Sequence, residues 1–205
     1  NAEPESDSSS VSPLNRIVKL VDADSIHSDI ALNYVPFQVH LRVQNLILFG
    51  DPGAGKTHLF KSASKFEEAE LMDVRNFMIF HEDYDDRKSL YLDGLDEYRG
   101  RGDNNDKLDK LIQLLNSRPA SKLRIACRAL DWFHGRDLAI FRRYFEKNGG
   151  FCVVALEDLT PEETLGILNG QGFKDAQGFI LETERRGLSN FLGNPQTLLM
   201  LLNTV

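Results

Sequence analysis

The 205-residue chain is predicted to fold as an α/β protein, a mostly parallel five-stranded sheet between helices, followed by a small group of helices. Three observations predict this. Short apolar runs alternate with helix-period stretches from residue 45 to residue 156. A glycine-rich segment, Gly50-Asp51-Pro52-Gly53-Ala54-Gly55-Lys56-Thr57, joins the first of those runs to the first helix. Beyond residue 157 only helix signals remain.

The elements follow in order. Residues 1–13 are rich in Ser, Glu, Asp and Pro and read as a disordered lead-in. Residues 14–44 hold pieces of strand or helix around Ile17–Val21 and Val35–Val43. The first core strand is Asn45–Phe49, and the helix after the glycine-rich turn runs to about Lys65. A second strand is expected at Ala69–Val74 and a short helix around Arg75–Phe80, because parallel strands need a crossover of about a dozen residues. The third strand is Ser89–Asp93. Leu108, Leu111, Ile112 and Leu115 make a core-facing stripe on a helix over Asp106–Ser117. The fourth and fifth strands are Lys122–Cys127 and Phe151–Leu156.

Thr160-Pro161-Glu162-Glu163 is a capping box with proline at the first helical position, and its helix should stop at Gly170. Another helix is expected over Asp175–Arg186 with Gly187 as its stop, and a last one from Asn194-Pro195. The division is therefore 14–157 for the sheet domain and 158–205 for a helical subdomain. The missing initiator Met and the apolar run Thr197–Leu202 at the end suggest a piece of a longer protein, with that run covered by a following domain.

The net charge of −7 gives no sign of a general nucleic-acid surface. Cys127 and Cys152 fall in expected strands and read as reduced core thiols of a cytoplasmic protein. No apolar stretch is long enough to span a bilayer, and the polar, acidic start is no signal peptide. The histidines at 27, 40, 58, 81 and 134 show no metal-ligand spacing.

The segment 50–57 matches the phosphate-binding P-loop pattern G-x-x-x-x-G-K-[ST] in full, between a strand and a helix as its chemistry requires. Gly50, Gly53 and Gly55 let the backbone turn tightly and bring N–H groups against phosphate oxygens. The helix that follows adds the positive end of its dipole. Lys56 would reach the β- and γ-phosphates, and the Thr57 hydroxyl would ligate Mg²⁺. Asp51, Pro52, Ala54 and His58 complete the expected nucleotide contacts, with ATP or ADP as ligand.

Leu90-Tyr91-Leu92-Asp93-Gly94-Leu95-Asp96-Glu97 is the second strong signal, an apolar strand ending in Asp as in a Walker B motif. Asp93 would hold Mg²⁺, from a strand beside the P-loop strand. Asp96 or Glu97 would then position and deprotonate an attacking water.

The string Leu-Asp-Gly-Leu-Asp-Glu at 92–97 resembles that of the NACHT and wider STAND group of signalling ATPases. Leu123–Arg128 is similar to the strand that ends in their sensor-1 Arg, which implies a γ-phosphate sensor at Arg128, in competition with a plain salt-bridge role at a strand end. Val153–Leu156 running into Leu159–Glu163 resembles the passage into their helical lid. Gly193-Asn194-Pro195 resembles the lid's G-x-P motif, whose Pro packs near adenine, so Pro195 joins the expected contacts. Cys127–Trp132 is similar to the C-R-x-x-D-W stretch of prokaryotic antiviral members. The likeness spans about residues 45–202. It implies a switch between an ADP-bound closed monomer and a self-associated ATP state. It also implies effector and sensor domains, which this chain lacks.

Trp132 reads as packing under the sensor strand, or as part of an interface. Arg136, Arg142 and Arg143 read as a solvated helix face, or as a finger toward a neighbour's nucleotide. Glu82–Asp86 reads as an exposed loop. Three functions compete: a slowly hydrolysing signalling switch, a P-loop kinase acting on a small acceptor, and a module that holds ADP without turnover. The acidic pair after Asp93 favours water activation over a kinase. No N-K-x-D sequence is present to read guanine.

Overall fold

The computed structural model describes residues 12–23, 34–100, 105–132 and 136–203, so His27, His134 and all but the end of the expected lead-in lie outside the described residues. Seven strands form one sheet: β1 (Ile17–Ala23), β2 (Tyr34–Pro36), β3 (Asn45–Phe49), β4 (Glu70–Asp73), β5 (Leu90–Asp93), β6 (Leu123–Cys127) and β7 (Cys152–Leu156). Their order is β2-β1-β7-β3-β6-β5-β4. β7, β3, β6, β5 and β4 are mutually parallel and are the five expected strands.

The strand count of five needs correction to seven. β1 runs antiparallel along β7, from Val18 opposite Leu156 to Ala23 opposite Cys152, and β2 pairs antiparallel outside it. Without them β7 would end the sheet with a row of open N–H and C=O groups. A second correction concerns order. β5 is not beside the P-loop strand β3, because β6 pairs with both and separates them.

Nine helices are found among the described residues: α1 (Lys56–Phe66), α2 (Val74–Phe80), α3 (Leu95–Arg99), α4 (Asn105–Ser117), α5 (Ala129–Trp132), α6 (Arg136–Lys147), α7 (Pro161–Gly170), α8 (Ala176–Arg185) and α9 (Pro195–Leu202). Side chains alternate across the sheet with the strand period of two. Ile47, Phe49, Leu92 and Ile125 face one way, under Phe77, Leu108, Leu111, Leu115, Phe141 and Phe145. Leu46, Leu48, Tyr91 and Val154 face the other way, over Phe37, Leu59, Phe60 and Ala63. Burial on both faces explains why β3 is apolar from Leu46 to Phe49 rather than alternating. Each large apolar side chain so buried contributes about 1.5–3 kcal/mol.

The same alternation puts Arg124 in the second layer, fully buried. Its guanidinium donates to Leu41 O at 2.8 Å and Gln44 O at 3.1 Å, with Glu67 3.8 Å away. The two cysteines are buried and are not joined in a disulfide. Phe141, Tyr144 and Phe145 bury one face of α6. Arg142 is not simply solvated, since it pairs with Asp22 of β1 at 2.8 Å and lies over the Phe151 ring. Arg143 is exposed; the side chains of Trp132 and Arg136 lie outside the described residues. Glu82, Asp83 and Asp86 of the acidic loop are exposed and Asp85 is half-buried, while Tyr84 is buried and bonded to the Arg118 carbonyl.

The last three helices pack around a small core of Leu159, Leu168, Ala176, Leu192 and Leu198. α7 carries the full capping box, with Thr160 and Glu163 bonded reciprocally at 3.2 and 2.8 Å. On α9, Leu198 and Leu202 join this core while Leu199 borders a cavity beside the P-loop. That second apolar side is why α9 reads as wider than one buried stripe.

Candidate functional site

β3, β6 and β5 end at one edge of the sheet, the carboxyl end, where open parallel sheets bind ligands. The P-loop follows β3 there. Gly53 and Gly55 take φ of 77° and 98°, a conformation that L side chains avoid. Gly50 does not take such a φ. A Cβ there would instead lie 3.1 Å from Lys56 Cγ, so its small size admits the lysine stem. α1 begins at Gly55 with no side-chain cap, so the N–H groups of its first turn are open to an anion.

Lys56 Nζ donates to Gly50 O at 2.6 Å and Asp51 O at 3.1 Å, bent back over its own loop. Desolvation lowers its pKa, opposed first by the nearby charges of Asp96 and Asp93. Thr57 Oγ1 donates to Asp93 Oδ2 at 2.6 Å, and Asp93 Oδ1 accepts from Gly94 N at 2.9 Å. The chain thus brings together the two residues expected to hold a metal, from elements 36 positions apart. Both offer hard oxygens, which suits Mg²⁺ completed by phosphate and water. Among the described residues no group of three His, Cys, Asp or Glu side chains forms a metal cage.

α3 starts immediately after β5 and carries Asp96 and Glu97 in its first turn. The two differ. Asp96 is only 8% exposed and pairs with Arg128 Nε at 2.7 Å, at the end of β6. Glu97 is exposed, beside Gly94. Asp51, Pro52, Thr57 and His58 are exposed, and Ala54 is buried.

The start of α9 lies against the P-loop. Asn194 Nδ2 donates to Pro52 O at 3.0 Å, and Gln196 N donates to Gly53 O at 3.3 Å. A Cβ on Gly53 would fall 2.5 Å from Gln196 Cβ. Pro195 faces Gly55 across the mouth of a cavity of about 620 Å³. The cavity lies between α1, α7, α9 and the segment before β1, with His58 and Pro195 on its wall.

Arg16, absent from the expectations, joins these parts. Its Nη1 donates to Ala54 O at 3.1 Å and its Nη2 to Glu157 O at 2.7 Å, while Nε lies 3.2 Å from Glu163 Oε1. Burial lowers the pKa of Arg16, opposed by Glu163 and Asp158. A single Arg at the head of a strand has no periodicity that would point to these partners. Glu163 was visible in the sequence only as half of a helix cap.

No known protein family matches the chain, and no curated protein does either. Solved structures do. Hsp104 of S. cerevisiae, solved as an ADP complex, is 17% identical with a TM-score of 0.51, covering 78% of this chain and 28% of its own. The replication initiator DnaA, bound to AMPPCP and single-stranded DNA, is 17% identical with a TM-score of 0.46. A DNA replication initiation factor is 16% identical with a TM-score of 0.48, and each of these two matches covers 80% of this chain and 55% of the other. The chain therefore spans about half of the two replication proteins and less of Hsp104. At this identity the likeness to Hsp104 shows the fold alone, an α/β fold with a mostly parallel sheet.

Proposed function

We propose that this chain is the nucleotide-binding module of a signalling switch, which binds ADP or Mg-ATP and hydrolyses ATP slowly. The observation that carries the reading is the contact of Thr57 with Asp93, 2.6 Å apart, at the carboxyl end of the sheet and next to an uncapped helix start. The loop N–H groups and Lys56 would bind the phosphates, the lysine exchanging its carbonyl partners for phosphate oxygens. Thr57 and Asp93 would hold Mg²⁺, which when bound neutralises charge on the β- and γ-phosphates.

The acidic pair divides its work in this reading. Asp96, engaged by Arg128, orients the guanidinium toward the γ-phosphate position. Glu97, exposed and without such an ion pair among the described residues, is the base that orients and deprotonates water. Residues 14–157 form the NTPase core and 158–205 a lid closed on the P-loop through Asn194 and Gln196. The sequence likeness at 92–97 and 193–195 supports a NACHT-like, STAND-class switch in the cytoplasm, with effector and sensor domains elsewhere. The same sequence likeness supports self-association of the ATP state.

The test is ATP turnover by phosphate release. Glu97→Gln should keep Mg-ATP binding and slow turnover by about 10²- to 10⁴-fold, as loss of a general base does. Turnover at the parent rate would move the base to Asp96, and parent rates in Asp96→Asn as well would end the reading of either carboxylate as the base.

A further inference from the structure

The cavity beside the P-loop has a wall built with an unusual choice of residues. Glu163, Gly166, Ile167 and Gly170 all line it from α7. Their spacing of i, i+3, i+4 and i+7 is one helix face. Glycine at an interior helix position costs about 1 kcal/mol relative to alanine, and Gly166 is interior to α7. A Cβ built on Gly170 would meet nothing within 4 Å. The face thus leaves space on the cavity side, and Pro195 lines the same cavity.

Two buried charged groups border this hollow. The Glu163 and Arg16 side chains are 7% and 11% exposed. The carboxylate has divided duties. Oε2 accepts from Thr160 N at 2.8 Å to close the capping box, whereas Oε1, though 3.2 Å from Arg16 Nε, completes no hydrogen bond among the described residues. A buried acceptor left so costs about 1–3 kcal/mol unless a donor reaches it. Arg16 cannot turn to it readily, since its two Nη groups are committed to Ala54 O and Glu157 O.

We infer that Glu163 reads the base of the bound nucleotide, its Oε1 accepting a hydrogen bond from the exocyclic amine of adenine, with Arg16 holding the carboxylate in place. The inference rests on the nucleotide-binding reading above. An ionised carboxylate only accepts. It therefore favours a 6-amino purine and opposes one with a carbonyl oxygen at that position, which presents a second acceptor to it. A hydrogen bond to a charged group is worth about 1.5–3 kcal/mol, or about 10- to 100-fold in affinity.

The test titrates the protein with ADP, purine riboside 5′-diphosphate (which lacks the 6-substituent), inosine 5′-diphosphate and pyrophosphate. ADP should bind at least about tenfold tighter than purine riboside diphosphate, and inosine diphosphate weakest of the three nucleotides. Glu163→Gln keeps the capping box through its amide oxygen, which leaves the amide nitrogen, a donor only, toward the base. It should abolish or invert the preference for ADP over inosine diphosphate while leaving pyrophosphate affinity unchanged. Equal affinities for the three nucleotides in the unsubstituted protein would overturn the inference and leave the P-loop reading standing. So would an undiminished ADP preference in Glu163→Gln. Failure of both ADP and pyrophosphate to bind would remove the nucleotide reading, and this inference with it.

Discussion

Replacing Arg16 by Met is expected to loosen the whole nucleotide edge of the molecule. The substitution keeps the aliphatic stem and removes the guanidinium. Two carbonyls, Ala54 O and Glu157 O, lose donors, each worth about 1 kcal/mol net. The Glu163 carboxylate, 7% exposed, loses the only cation paired with it among the described residues. Breaking a buried pair from one side costs about 3–5 kcal/mol, because the remaining charge stays desolvated. Arg16→Met should therefore lose about 5–7 kcal/mol. Glu163→Gln alone should lose only about 1–2 kcal/mol, since Arg16 retains its two carbonyls. In the double variant the stranded charge is gone, and the total should fall below the sum of the singles by at least about 1.5 kcal/mol. Urea unfolding of the four proteins, followed by circular dichroism with equal slopes, reads this coupling directly. Additive losses, or a loss under 1 kcal/mol for Arg16→Met, would refute the claim that this pair ties α7 to the P-loop.

Other consequences follow from single contacts. Gly53→Ala places a Cβ 2.5 Å from Gln196 Cβ at a positive φ, so it should lower thermal stability and weaken ADP binding at least tenfold, by melting and calorimetry. Asp93→Asn should keep ADP binding but blunt its dependence on Mg²⁺, measured by titrating with and without a chelator. Gly170→Leu fills the cavity from a position with open space, and should weaken ADP binding without changing pyrophosphate binding. Burial, with Arg42 adding to it, holds the fully buried His40 imidazole down to about 4 from 6.5. The unfolded chain therefore binds the extra proton, and up to about 3 kcal/mol of stability present above pH 6.5 is lost as pH falls to 4. Unfolding at several pH values should show this slope, and His40→Leu should flatten it.

Much of the fold was legible because its signals are local. The β3–loop–α1 unit is written in one contiguous stretch, and its strand begins and ends where the apolar run does. The same holds for α7, whose capping box and terminal Gly170 mark both ends. β1 and β2 were not legible as strands, because an edge hairpin has one solvated side and its pairing with β7 is set by residues more than a hundred positions away. The strand order was missed for a related reason. Nothing in the sequence around Leu123–Cys127 says that it inserts between β3 and β5. In the site, Lys56, Thr57 and Asp93 could be named from spacing because phosphate chemistry demands those types in that context. Arg16 could not, since its partners lie on the P-loop, at the end of β7 and on α7. Asp96 and Glu97 are adjacent carboxylates in sequence, and only the ion pair with Arg128 separates them.

The most direct test of the central claim is calorimetric titration of the protein with Mg-ATP and with ADP, beside the Lys56→Ala variant. The P-loop reading predicts saturable one-to-one binding of both nucleotides to the unsubstituted protein. It predicts no measurable binding to Lys56→Ala with its circular dichroism unchanged, since that variant lacks the main cation facing the phosphates. Equal affinity in the folded variant, or no binding by either protein, would contradict it.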